Sequence, residues 1–130
     1  MPFRYEWKDE SKRVICYIAE GDWNWKDYHH AARASAFTLS GVDHSVDCLI
    51  DLRGSARRDL PAGFAAHVRS FGKKMQACLS GRALVIGMPK EGMDALLLDD
   101  ENMLFTSDGA LRFVADEVEL ERVLRAWARG

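Results

Sequence analysis

A chain of 130 residues with 48% apolar and 29% charged side chains has about the length of one domain and the composition of an ordinary globule, which excludes disordered and fibrous classes. Its formal charge of −2 gives no basis for nucleic-acid binding, where affinity rests on many cations neutralising phosphates. No apolar run nears the ~20 residues that span a bilayer, and the opening Met1-Pro2-Phe3-Arg4-Tyr5-Glu6 has no apolar centre of a secretory signal, so a cytoplasmic protein is expected.

Phe3, Tyr5 and Trp7 alternate with Arg4, Glu6 and Lys8, and after Asp9-Glu10-Ser11 a second alternating run carries Val14, Cys16 and Ile18. Period-two alternation on both sides of a polar cluster predicts an opening β-hairpin. Asn24 at an N-cap with Asp27 three residues on starts a helix, whose stripe Tyr28, Ala32, Ser35, Ala36 and Leu39 runs up to Gly41. Val46 to Leu52 reads as a strand buried on both faces and closed by a loop, Arg53-Gly54-Ser55.

Asp59 then caps a second helix with Pro61 in its first turn and the stripe Leu60, Phe64, Val68, Phe71, Met75 and Leu79, stopped by Ser80-Gly81. Ala83 to Met88 is a further strand ended by Pro89, and Met93 to Leu98 a third helix. Ser107-Asp108-Gly109 is a turn, Leu111 to Ala115 the last strand, and Asp116 with Glu119 a capping box for a helix carrying Leu120, Val123, Leu124 and Trp127.

The order β-β-α-β-α-β-α-β-α predicts an α/β fold with a mixed sheet. Strands separated by helices are joined by right-handed crossovers and run parallel, which leaves only the opening hairpin antiparallel. With no repeat or linker, residues 1–130 are expected to form a single domain.

This order, closed by Leu111-Arg112-Phe113-Val114-Ala115-Asp116-Glu117-Val118-Glu119-Leu120-Glu121 leading into an amphipathic helix, resembles the STAS family of sulfate-transporter and anti-sigma-factor-antagonist domains. The likeness is nearest to stand-alone bacterial proteins similar to the sporulation anti-anti-sigma factor. It implies a regulatory, protein-binding domain whose functional surface is the loop and helix after the third strand. Switch members of the family carry an Asp-Ser-Ser-Gly motif at that helix. Aligning Leu49-Ile50-Asp51-Leu52 with the family's strand puts Asp59 on the motif's Asp, but Leu60 and Pro61 on its serines and Ala62 on its glycine. A phosphoryl group needs a hydroxyl, so the resemblance implies binding without the phosphorylation switch.

The residues supply two candidate surfaces. Arg53, Gly54, Ser55, Arg57, Arg58, Asp59 and Leu60 gather between a strand's carboxyl end and a helix's amino end, where backbone N–H groups favour anions. They form either a solvated loop or a contact for a protein partner or small anionic ligand, with Arg69, Lys73 and Lys74 as a polar rim. Trp23 and Trp25, extended by Phe37 and Leu39, are either core or an apolar site for an amphipathic or lipid-like ligand, a partner or a membrane surface.

No catalytic constellation assembles, and neither metal nor cofactor is expected. His29 and His30 point about 100° apart on a helix and cannot share an ion; His44 and His67 stand alone. Asp99, Asp100 and Glu101 read as a solvated turn, with weak cation binding as the alternative. Asp51 at a strand end, with Glu20 and Asp22 as metal-binding acids, resembles a phosphoacceptor site but lacks the lysine that would hold the phosphoryl group. Cys16, Cys48 and Cys78 form no C-x-x-C pair and read as core residues, and Cys78 stands too close to Arg82 for a phosphatase loop. G-x-S-x-G is absent.

Overall fold

A computed structural model describes residues 2–56, 68, 78–96, 98, 100–106 and 109–129. The strands are β1 (Phe3–Trp7), β2 (Val14–Gly21), β3 (Val46–Ser55), β4 (Leu79–Ile86), β5 (Met103–Phe105) and β6 (Ala110–Val114). Among the described residues the helices are α1 (Trp25–Leu39), α2 (Lys90–Ala95) and α3 (Glu117–Ala128). All six strands lie in one sheet of order β1-β2-β3-β4-β6-β5. The pairs β2-β3, β3-β4 and β4-β6 are parallel, and β1-β2 forms the expected antiparallel hairpin. This is the mixed α/β sheet the sequence predicts.

The caps explain where the helices begin. Asn24 accepts from the Asp27 backbone N–H while Asp27 accepts from that of Asn24, a reciprocal capping box that starts α1. Asp116 accepts from the Glu119 N–H and starts α3. The second predicted helix lies outside the described residues except at Val68, which is helical and fully buried.

Four expectations are corrected. Leu79, assigned to the second helix, opens β4, and Ser80-Gly81 lies inside that strand instead of stopping a helix. The third helix covers Lys90–Ala95 rather than Met93 to Leu98. The hairpin is not the sole antiparallel pair, because β5 runs antiparallel to β6 at the opposite edge. Three residues are too few to show alternation, so β5 is made by its neighbour. The chain also needs glycine here: a Cβ on Gly109 would lie 2.0 Å from the Gly81 carbonyl oxygen, so two backbones touch as the chain enters β6. Finally, β3 continues through Arg53-Gly54-Ser55, which is strand and not loop.

The crossovers from β2 to β3, β3 to β4 and β4 to β6 all step the same way across the sheet. Right-handedness then puts the intervening elements on one face. Trp25, Tyr28, Ala31 and Leu39 of α1, together with Val68 and Leu96, indeed share one buried cluster with Phe3, Tyr17, Ile50, Val85 and Phe113. The helix α3 follows the last crossover and covers the other face, where Leu120 and Val123 meet Cys16, Leu49, Leu84, Ile86 and Val114. No helix among the described residues is long and apolar enough to cross a membrane.

Candidate binding surface at the carboxyl edge

Parallel strands end together at one edge of the sheet, and β3 reaches further than β4. Its pairing with β4 stops at Asp51 opposite Ile86, while its pairing with β2 continues to Ser55 opposite Gly21. Leu52 to Ser55 therefore overhang β4, held on one side only. The departure of β4 is fixed by Gly87 at φ +88°, where a Cβ would lie 2.6 Å from the Arg53 nitrogen. Only glycine combines that dihedral with that approach.

Side chains secure the overhang. The Trp23 indole N–H donates to Ser55 Oγ at 2.8 Å, and the Ala56 N–H donates to the Gly21 carbonyl at 2.8 Å. Arg53 is held by two carboxylates: its Nε and Nη2 donate to Asp51 at 3.1 and 2.9 Å, and its Nη1 to Glu117 at 2.6 Å. Its backbone N–H also donates to Asp51 at 3.0 Å. Hydrogen bonding to Asp51 raises the guanidinium pKa most, burial opposes it by less, and hydrogen bonding to Glu117 adds a further rise. Burial pushes the Asp51 carboxyl up, but the hydrogen bonds and charge of Arg53 outweigh it and hold the carboxyl below its usual range. Arg53 is thus neutralised in place and anchors the first turn of α3.

Asp51, read as a strand-end acid, stands four residues before the end of β3 and is committed to Arg53. Arg57, Arg58, Asp59, Leu60, Arg69, Lys73 and Lys74 lie outside the described residues. Among the described residues the candidate surface is therefore the overhang and the point at Ala56, exposed to solvent, where the chain leaves it.

The second candidate set does not form one surface. Trp23 is 1% exposed, and Trp25 and Leu39 are buried in the same cluster. Trp23 packs edge-on against Phe3 at 5.2 Å and Trp25 at 5.0 Å, and Phe3 meets Tyr28 at 5.3 Å. Tyr17 and Ser35 share a buried hydroxyl hydrogen bond of 2.7 Å beneath them. These rings are core, because β2 delivers them into the angle between the sheet and α1. Phe37 points the other way and is 90% exposed.

His29 and His30 sit side by side on α1 but diverge, His29 against the Tyr28 ring at 5.3 Å and His30 in solvent. The ring of His44 bonds the Lys12 carbonyl at 2.8 Å, and His67 lies outside the described residues. No cluster of three His, Cys, Asp or Glu residues fit to hold a metal occurs among the described residues. Asp100 and Glu101 form an exposed turn; Asp99 is outside the described residues. Burial pushes the Cys16 and Cys48 thiols up to about 12, which leaves both protonated at neutral pH.

Sequence reasoning missed an ionic cluster at the opposite edge. Asp47, 9% exposed, accepts from Ser80 Oγ and from Arg82 Nε and Nη2, the latter two at 3.1 Å. The Arg82 guanidinium stacks 4.7 Å from the Trp127 ring of α3. The signal was parity: Asp47, Asp51 and Arg53 alternate with Cys48, Ile50 and Leu52, so one face of β3 was always the charged one.

No family model matches the chain, and no curated protein matches it. Among solved structures it is similar to an uncharacterized protein of the DUF3478 family from Shewanella loihica, described as having a SpoIIAA-like fold. The two are 20% identical with a TM-score of 0.56, over 94% of this chain and 91% of that one. The likeness shows the fold: this chain has a SpoIIAA-like fold.

Proposed function

We propose that this chain is a non-enzymatic regulatory module that binds a protein partner through the overhang of β3 and the segment that follows Ala56. One observation carries the reading. The central strand, parallel on both sides, outruns β4 and delivers the chain at the carboxyl edge, the edge at which open parallel sheets present their ligand sites. The Asp51-Arg53-Glu117 network fixes the backbone there without leaving Arg53 as a mobile cation. Two of the three thiols are protonated by burial, which favours recognition over nucleophilic chemistry.

A photo-crosslinking amino acid placed at Ala56, with Asp43 at the amino edge as control, tests this in cells. A discrete protein adduct from position 56 and none from 43 is the expected result. Identical adducts from both positions, or none from 56, would remove the carboxyl edge from consideration.

A further inference from the structure

The solvent side of α1 carries Lys26, His30, Arg33 and Phe37 at successive spacings of four, three and four, which places them on one stripe. All four are exposed. Neither Lys26 nor Arg33 pairs with a carboxylate in the ion pairs of the described residues. The nearest acid on the helix, Asp27, is engaged by the Asn24 backbone N–H at 3.0 Å in the cap. Asn24, Lys26, Asp27, His30, Arg33 and Ala34 line a shallow open cleft of about 740 Å³. Phe37 stands one turn beyond it, 90% exposed, although the other aromatic rings of α1 and its approach are core.

We propose that this stripe is a docking surface for an acidic, apolar-anchored segment of a protein partner, which seats Phe37 in a recess and lays carboxylates along Lys26 and Arg33. The reading rests on the chain being a protein-binding module. Charge complementarity selects the occupant, since Lys26 and Arg33 outnumber the one carboxylate of the cleft, Asp27, and the exposed Phe37 ring beside them adds apolar area of the kind interfaces favour. A bilayer fits less well. It meets a whole face rather than a stripe, the chain is net negative at −2, and one ring with two lysine- or arginine-type cations falls short of the paired signals that stable membrane anchoring requires. The stripe begins beside the overhang, because Trp23, two residues before α1, bonds Ser55.

Selection of dodecapeptides from a random displayed library against the full chain tests this, with affinities of the winners read by fluorescence anisotropy. Winners should be enriched in Asp and Glu beside an apolar residue. They should weaken about tenfold or more on Lys26→Glu/Arg33→Glu and on Phe37→Ser, and hold on Glu10→Gln at the exposed turn of the opening hairpin, with far-UV circular dichroism unchanged throughout. Winners without acids, or indifferent to the α1 changes, overturn the proposal. So does binding to phosphatidylglycerol vesicles that Phe37→Ser abolishes, which would assign the stripe to a membrane. Acidic winners that obey this pattern while the Ala56 crosslink fails support the stripe and remove the overhang; a successful crosslink with no such winners does the reverse.

Discussion

The two faces of the sheet are built by different physics. On one, Phe3, Tyr17, Trp23, Trp25 and Tyr28 interlock edge to face beneath α1, and the stabilisation comes from burying large rings. On the other, α3 buries only Leu120 and Val123 fully. It is held along its length by cations on the sheet or just beyond a strand end: Arg53 to Glu117, Lys8 to Glu121 at 2.9 Å, and Arg82 to Trp127. The aromatic face sets the body of the molecule, and the clamped face sets how firmly its last helix is attached.

The largest change should come from the aromatic side. Trp23→Ala opens a cavity among the rings and strands Ser55, and should cost about 3–5 kcal/mol in urea unfolding. Leu120→Ala on the clamped face should cost about 2–3 kcal/mol, because α3 can settle toward the sheet; an equal loss from both would erase the distinction. Arg82→Ala leaves Asp47 without its cation and Trp127 without its stacking partner, and should cost about 1–3 kcal/mol, more than Asp47→Asn, which keeps the one acceptor oxygen that Ser80 and Arg82 Nε share.

At the small end lie the exposed clamps. The side chains of Arg53 and Glu117 are about half exposed, so Glu117→Gln should cost about 0–1 kcal/mol, with the difference shrinking in 1 M salt. Asp51 adds a pH dependence whose sign follows from its lowered folded-state pKa. Its contribution is complete above the ordinary carboxylate pKa of about 4 and is lost as pH falls through the lower folded value. Urea midpoints taken from pH 7 down to pH 2 should therefore fall less steeply on the acid side for Asp51→Asn than for the wild type.

The same contrast explains what was legible in the sequence. Asn24 with Asp27 and Asp116 with Glu119 announce their helices locally, and both helices begin where those residues say. Alternation in Phe3-Arg4-Tyr5-Glu6-Trp7 gives the hairpin. What depends on a distant partner was hidden. The strand β5 exists through its pairing with β6, and β3 runs on through a glycine that reads as a turn, because Gly54 lies against the Ala19 carbonyl, where a Cβ would approach to 2.9 Å. Helical spacing already put Leu39 on the core stripe and Phe37 off it, and the packing of α1 turns one inward and the other out, which separates two residues that had been grouped with the tryptophans. Of the candidate site, Arg53 was found for its charge, but its partner Glu117 lies 64 residues away and no spacing reveals it.

Native-state amide hydrogen exchange at low and high salt tests the inequality of the two faces most directly. The amides of Val123 and Leu124 should exchange through an opening smaller than global unfolding and easier in salt, while those of Ala32 and Ser35 in α1 exchange only when the whole chain unfolds. Equal protection of α1 and α3 at every salt concentration would contradict it.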